Sequence, residues 1–491
     1  MASTTRRRRS SYNVVPRRLS PRRVIALVAT TAVLIVSVFA VRTVLGLAHL
    51  TNQNPLAVIG DLIGGKGGSS INQANADLRR VNFAFYGFGG VGHDGAYLSD
   101  SILVVSVQPQ SNGPPAVAEV SIPRDWYVPI DLGNGKTNFG RINEAYSDGK
   151  DGQGGLPSSD PAAGAAVANR TLGHVLGIHI DHWIGLDFQA FKSAVDAVGG
   201  VDVNVPNSFT DYQYPAGECN GQPGANCAYL PALHFDSGPQ HMNGSRALQF
   251  SRSRHSNDNG EGSDFARSRR QQLIVAALKQ RVVSLGGLGN LPDLLNGLGD
   301  NVATDLHVND LEALYGLFKD VDTKSIRHIS FDDTNLLYEC NYPQECDASY
   351  IYAHDRTYGQ AAHYLQNIFV DPAAVSEHAK VIVEDGSGRG LGASDRWSSL
   401  LSSISLNSSD GGPVHRRPAT QIIDESGGKD AATAAWLAKF FGVTVTTPPP
   451  PSAVPVGAPT PSAARSGSGG VVVILGQDEE NAFLGNPGVG N

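Results

Sequence analysis

The alternation of apolar and polar positions divides the chain into six stretches. VIALVATTAVLIVSVFAV, residues 24–41, is uncharged for 18 residues, long enough for a helix to cross a bilayer, and a span of 24–48 leaves room for tilt. A tail, 1–23, precedes it, and a Gly/Ser/Asn-rich linker, 49–77, follows it. From residue 78, VNFAFYG, SILVVSV and AVAEVSI are short apolar runs between turn residues and predict buried strands. DHWIGLDFQAFKSAVDAVGGVDVNV reads as strand, helix, a stop at Gly199 and Gly200, and strand, with Phe188, Phe191, Val195 and Val198 on the buried helical face. Strands interleaved with helices predict an α/β sandwich over 78–377. A second, smaller α/β domain is expected over 378–483: AKVIVEDGSG, helical ASDRWSSLLSSI, ATQIIDESGG, helical KDAATAAWLAKFFG and VTVTT. A Pro-rich insertion, 446–470, separates these from VVVILG, which is expected to return to the same small sheet, and residues 484–491 form a loose tail.

Charge orients this layout. Eight arginines (Arg6 to Arg9, Arg17, Arg18, Arg22 and Arg23) precede the apolar run with no acidic residue among them, which places the amino terminus in the cytoplasm and the rest outside, as a single-pass membrane protein. A cleaved signal peptide would have a shorter apolar core and a small-residue cleavage site. Beyond those arginines 30 basic residues face 46 acidic ones, so any basic cluster in the outer part is a local feature. Cys219 and Cys227 flank NGQPGAN, and Cys340 and Cys346 flank NYPQE; two local disulfides are expected in an oxidising compartment, because these spacings do not match a four-cysteine zinc site.

Two motifs mislead. GFGGVG, residues 87–92, spells a dinucleotide fingerprint, but eight residues separate it from the next strand, and a crossover helix needs about ten or more. HVLGIHIDH offers His174, His179 and His182, yet on a strand His179 and His182 point to opposite faces, against a shared metal. There is no Gly-x-Ser-x-Gly, His-Glu-x-x-His or Walker sequence.

The chemistry concentrates in FSRSRHSNDNGEGSDFARSRRQQ. Arg252 and Arg254 share a face if they lie on a strand; Arg267 and Arg270 share a face at the start of a helix. Arginine suits fixed bidentate contact with phosphate oxygens. Arg124 and Asp125 in SIPRD, Arg141 in RINEAY, and Asp94 and Asp100 in DGAYLSD add the charge pattern of a diphosphate site bridged by Mg²⁺. Nucleic acid is the other candidate partner for RSRRQQ, and the expected outside location argues against it.

Together DGAYLSDSILVV, SIPRD, RINEAY, the DFQAFKSAVDAVGGVDV block, HMNGSRALQFSRSR and SDFARSRRQQ resemble the catalytic domain of the LytR-CpsA-Psr family over about 78–278. Residues 378–483 resemble more loosely the LytR carboxy-terminal domain of actinobacterial members. The resemblance implies an α-β-α sandwich around a central mixed sheet. It also implies an extracytoplasmic phosphotransferase that moves a glycopolymer, such as arabinogalactan or a teichoic-type polymer, from a polyprenyl diphosphate carrier to peptidoglycan, with Mg²⁺ or Mn²⁺. By position, Arg124, Arg252, Arg254, Arg267 and Asp264 resemble the catalytic set. Asp125, Arg141, Arg270 and Gln271 fall beside the substrate, and Asp100 with Asp94 beside the metal. Asp264 or Asp125 would serve as base. The family's Gly-x-Asp-x-Arg after the first strand is replaced here by YGFGGVGHDG. Two other readings compete: a polyprenyl-diphosphate pyrophosphatase and a non-catalytic wall-binding scaffold.

Overall fold

The computed structural model describes residues 48, 51 and 69–478, except 94, 134, 154–159, 216–229, 285–300, 319, 333, 341–349, 356, 389–391 and 448–468. The apolar run at 24–41 lies outside these residues; among those described, no helix is long and apolar enough to cross a membrane.

A short helix, α1 (Ser70–Ala76), leads into the three predicted runs, which form β1 (Val81–Phe88), β2 (Ser101–Gln108) and β3 (Ala116–Ile122). They pair as an antiparallel meander, with Val81 opposite Val107 and Ile102 opposite Ile122. The antiparallel step after β1 is incompatible with a dinucleotide-binding crossover, as the short spacing predicted. A hairpin of β4 (Tyr127–Gly133) and β5 (Lys136–Arg141) follows, then α2 (Glu144–Lys150) and α3 (Pro161–Leu176). Next, β6 (His182–Asp187) pairs in parallel with β1, Phe88 opposite Asp187, and runs directly into α4 (Phe188–Ala197).

After the Gly199 and Gly200 stop, β7 (Val201–Val205) leaves the main sheet. A side chain at Gly200, where φ is +86°, would meet the His241 ring at 2.5 Å, so this turn requires glycine. The next elements are β8 (Phe209–Asp211), β9 (Leu233–Phe235), β10 (Gly238–Met242), α5 (Gly244–Arg252) and α6 (Asp264–Ser284), with β10 paired to β7 and β9 to β8. The main sheet is completed by β11 (Val302–Thr304) and β12 (Arg327–Ser330), with α7 (Val308–Phe318) between them. Its order is β11-β6-β1-β2-β3-β12, with parallel and antiparallel neighbours mixed. Helices cover both faces: α3 packs against Ala84, Val104, Ala118 and Val120, while α1 and α7 pack against Val81, Phe83, Val107 and Val117. Of the predicted helical face, Val195 and Val198 are buried and Phe191 partly so; Phe188 is only half-buried, for a reason given below.

The hairpin β13 (Leu337–Glu339) and β14 (Ile351–Ala353) and the helices α8 (Gly359–Gln366) and α9 (Pro372–Ser376) lead to the carboxy-terminal unit. There β15 (Lys380–Asp385), α10 (Ala393–Ser403), β16 (Asn407–Pro413), β17 (Gln421–Asp424), α11 (Ala431–Phe440), β18 (Val445–Thr446) and β19 (Val471–Leu475) build a sheet ordered β16-β15-β19-β17-β18. The strand beyond the Pro-rich insertion returns to its centre, every residue buried. The edge strand β16, NSSDGGP, carries no apolar signal and was not predicted.

The two units share one hydrophobic core. The fully buried Tyr364 of α8 donates its hydroxyl to the Leu400 carbonyl at 3.0 Å, and the Glu377 carboxylate accepts the Ala432 and Thr433 amides at the start of α11. His363 donates Nε2–H to the Phe440 carbonyl at 2.7 Å. Burial pushes the His363 pKa below its ordinary value, and the bond to Phe440 only partly offsets this. A base with a depressed folded pKa contributes stability above its unfolded value, lost as pH falls through the folded one. Urea midpoints should therefore decrease from about pH 7 to about pH 5, and His363→Gln, which retains a donor but cannot titrate, should flatten part of that slope. An identical slope in both proteins would remove His363 from the joint's pH response.

Candidate active site

The strand register brings the chemistry to one end of the main sheet. Gly87 of β1 lies opposite Ser101 of β2, Ile102 of β2 opposite Ile122 of β3, and Phe88 of β1 beside Asp187 of β6. Residues just before β2 and just after β1, β3 and β6 therefore meet there. Asp100 immediately precedes β2, and Arg124 follows β3 by two residues.

These residues form a chain of alternating charge. Arg124 Nη1 donates to Asp100 Oδ1 at 2.6 Å, and Arg124 Nε to Asp125 Oδ2 at 3.2 Å. Arg141 Nε lies 3.0 Å from Asp125 Oδ1, and its guanidinium sits 5.1 Å from the centre of the Tyr350 ring. Such partly exposed pairs contribute on the order of 1 kcal/mol each to stability. Their larger effect is to fix guanidinium direction before a ligand arrives. The support is rigid: Trp126, next to Asp125, is fully buried against Phe331 and Tyr358.

A second cluster lies at the end of β6. Asp187 caps α4 by accepting the Ala190 amide at 2.8 Å, and burial raises its pKa despite this bond and the nearby His93. The glycine loop after β1 lies on it. Gly90 has φ +87°, and a Cβ there would approach the Asp187 carboxylate to 2.8 Å, so the glycine is needed for close contact and not for a nucleotide. His93 meets Phe188 edge-on at 5.1 Å, and the Arg252 guanidinium stacks 4.0 Å from the Phe188 ring centre. Phe188 thus serves as a platform for Arg252. Tyr214 stands 5.6 Å from the same guanidinium; burial raises its pKa and Arg252 opposes the rise.

The arginine-rich stretch differs from its expected form. Arg252 is not on a strand; it ends α5, and Arg254 follows in a segment without regular secondary structure. The helix begins where Asn243 accepts the Arg246 amide, a cap that the sequence HMNGSRAL already spells. Buried Asp211 accepts the Arg254 amide at 3.0 Å, and the Arg254 guanidinium has no hydrogen bond or ion pair among the described residues. Arg267 is buried on α6 and Gln271 half-buried.

Arg270 is a correction. At 2% exposed it is enclosed, with Nε on the Phe250 carbonyl, Nη1 on the Glu261 carbonyl and carboxylate, and Nη2 on the Ser253 carbonyl. Every guanidinium nitrogen is used to fasten α5 and its following loop to α6, so none remains for a substrate.

Asp94, Cys219, Cys227 and Cys346 lie outside the described residues, as does the side chain of Asp264, the first residue of α6. Cys340 is disulfide-bonded. The histidine motif holds no metal cluster: His182 contacts Ser70 Oγ at 2.8 Å and Asp305 at 3.5 Å, and no group of three potential ligands occurs among the described residues. The sequence reading missed Asp187, Phe188, Asp211 and Tyr350 as parts of the site. Only the strand-to-helix junction Asp-Phe carried a local signal, that of a helix cap.

Arg270→Ala should destabilise the protein by about 3–5 kcal/mol, because it leaves the Glu261 carboxylate buried without its partner. Arg254→Ala should change stability by less than about 1 kcal/mol. Urea unfolding of both variants tests the division; equal losses would reject it.

The sequence is 33% identical over 208 residues to the polyisoprenyl-teichoic acid–peptidoglycan teichoic acid transferase TagU of Bacillus mycoides, covering 42% of this chain and 55% of that protein. It is 28% identical over 240 residues to the transferase TagV of Bacillus subtilis, covering 48% and 52%. The chain thus spans about half the length of these relatives. The crystal structure of B. subtilis TagV aligns with a TM-score of 0.43 at 24% identity, over 59% of this chain and 96% of that one. The LytR_cpsA_psr family pattern matches residues 65–358, more than half of the sequence, and the chain belongs to the LytR_cpsA_psr family.

Proposed function

We propose that this protein is an extracytoplasmic phosphotransferase that moves a glycopolymer from a polyprenyl diphosphate carrier onto peptidoglycan. The observation that carries the reading is the Asp100–Arg124–Asp125–Arg141 array at the strand ends, with Arg252 and Arg254 as further cations. Arg124 is held by two carboxylates yet remains 18% exposed, so it can turn part of its donor fork to an incoming diphosphate. Family membership supports the assignment, as do the names of the relatives.

In this mechanism the acceptor hydroxyl oxygen forms a bond to the phosphorus that bears the glycan. The bond from that phosphorus to the carrier phosphate breaks, and polyprenyl phosphate leaves. The arginines align both phosphates and neutralise charge on the leaving group, the main tasks in phosphoryl transfer. Asp125, engaged by Arg124 and Arg141, positions these two, which leaves the base role to Asp264 at the head of α6. Asp100, 41% exposed with one oxygen on Arg124, fits a Mg²⁺ ion that takes one or two protein carboxylates and otherwise substrate oxygens. The ion when bound would offset phosphate charge. A cavity of about 380 Å³ between α6 and the β7–β8 segment, whose apolar wall is Val205, Phe209, Phe250, Leu273 and Ala276 and whose polar rim includes Glu261, Arg269 and His328, suits part of the lipid. In the same reading the helix over 24–48 anchors an α-β-α sandwich at the outer membrane face, and residues 378–483 form a LytR carboxy-terminal-like domain.

The test is release of polyprenyl phosphate from a short-chain polyprenyl diphosphate that carries a glycan, with a peptidoglycan acceptor added and Mg²⁺ titrated against EDTA. Arg124→Ala should lower turnover about 10²–10³-fold, the range seen when one transition-state donor is removed. Asp100→Asn should raise the Mg²⁺ concentration needed for half-maximal rate. Turnover without added acceptor would assign water as acceptor and a pyrophosphatase; tight binding with unchanged wall attachment in Arg124→Ala would favour the scaffold.

A further inference from the structure

Outside the charged array, the surface carries a continuous row of aromatic rings. The hairpin β4–β5 buries one face, with Val128 and Ile130 in the core. Its other face presents Tyr127, Phe139 and Arg141, since Tyr127 is the cross-strand partner of Arg141 and Phe139 lies two residues before it. The hairpin β13–β14 is built alike: Leu337, Ile351 and Ala353 are buried, while Tyr338 and its cross-strand partner Tyr352 face outward with Tyr350.

The two outward faces join edge to edge. Tyr127 contacts Phe139 at 6.3 Å, Tyr350 at 4.7 Å and Tyr352 at 5.5 Å between ring centres. Tyr352 contacts Tyr338 at 5.9 Å. At the inner end Tyr350 receives the Arg141 guanidinium, which is paired with Asp125 of the charged array. Phe139 is 60% exposed and the four tyrosines are partly so. A phenylalanine this exposed is ordinary when alone, but as part of a contiguous patch with four part-exposed tyrosines it marks a binding surface. Among the described residues, the hydroxyls of Tyr127, Tyr338 and Tyr350 make no hydrogen bonds.

We propose that this row is a glycan-binding strip that lays sugar rings along the surface and leads them to the Arg141 end of the charged array. A sugar ring has one apolar C–H face and a rim of hydroxyls. A tyrosine offers the complement, a flat apolar face and a polar tip, with little side-chain freedom to lose. An apolar protein partner or lipid would leave those phenol groups unsatisfied on burial. The five rings are neutral, and among the described residues the one guanidinium stacked on them is Arg141 at the inner end, with the His354 ring against Tyr338 at the other, which suits an uncharged sugar chain whose phosphate or reacting hydroxyl lies at Arg141. That the strip feeds a transfer centre rests on the reading above; that it binds sugar does not.

The sugars can come from the acceptor strand or from the donor polymer, and two probes separate them. The full chain in detergent is titrated with a β-1,4-linked N-acetylglucosamine oligomer and with a neutral galactose oligomer, followed by tyrosine fluorescence and saturation-transfer NMR. Binding of the first assigns the acceptor, and binding of the second assigns the donor. Phe139→Ala and Tyr352→Ala should each weaken binding about three- to tenfold, one stacking contact's share. Tyr352→Phe should keep most of the affinity, which separates stacking from misfolding. Arg124→Ala should leave oligomer affinity unchanged while turnover of the short diphosphate falls, so the two readings can fail separately. The strip is rejected if neither oligomer binds the native chain, or if affinity is indifferent to both alanine variants.

Discussion

Guanidinium groups gathered at one end of a sheet repel one another, and the site depends on how that repulsion is offset. Arg124 is held between Asp100 and Asp125, and Arg141 between Asp125 and the Tyr350 ring. Among the described residues Arg252 has no carboxylate partner, and the face of Phe188 takes that role. Anchoring by carboxylates makes a cluster tolerable but lowers its net charge, whereas anchoring by a ring keeps the full charge for a ligand. The site combines the two. The Asp–Arg chain fixes direction, and Arg252 and Arg254 supply charge that no described carboxylate cancels.

This arrangement follows from the register of four strands. A slip of one residue between β2 and β3 would turn Val104 and Val120 out of the core and carry Arg124 away from Asp100. The apolar residues that fix register and the charged residues that follow the strand ends are thus one constraint. The same holds for β6, whose parallel pairing with β1 sets Asp187 beneath Gly90.

What the sequence disclosed follows the range of the forces involved. The β1–β3 runs, the α4 helix and its glycine stop, and the return of VVVILG to the small sheet were legible, because each is written as a local apolar pattern. The polar edge strand β16 was not, since its place comes from pairing with β15 and not from its own composition. Nor was the departure of β7 to pair with β10, a contact between segments far apart in sequence. Arg124, Asp125 and Arg141 were found from charge pattern, and the structure joins them to Asp100. Arg270 could not be told from its neighbours in RSRR. What separates them is Glu261, whose burial beside Arg270 depends on how the loop after α5 folds back.

Arg270 also explains how a polar segment can hold a fixed shape. Residues 253–263 contain no apolar side chain with which to build a core of their own. Their backbone is held instead by buried polar groups: Asp211 takes the amides of Arg254 and His255, and Arg270 takes the carbonyls of Ser253 and Glu261. Acceptors and donors are thus supplied from opposite sides of the segment. In a buried setting each such group left without its partner costs about 1–3 kcal/mol, so the segment has little freedom to rearrange. Arg254, fastened by its own amide while its guanidinium stays unengaged among the described residues, is set in a fixed position by polar groups, in a segment that has no apolar side chain of its own.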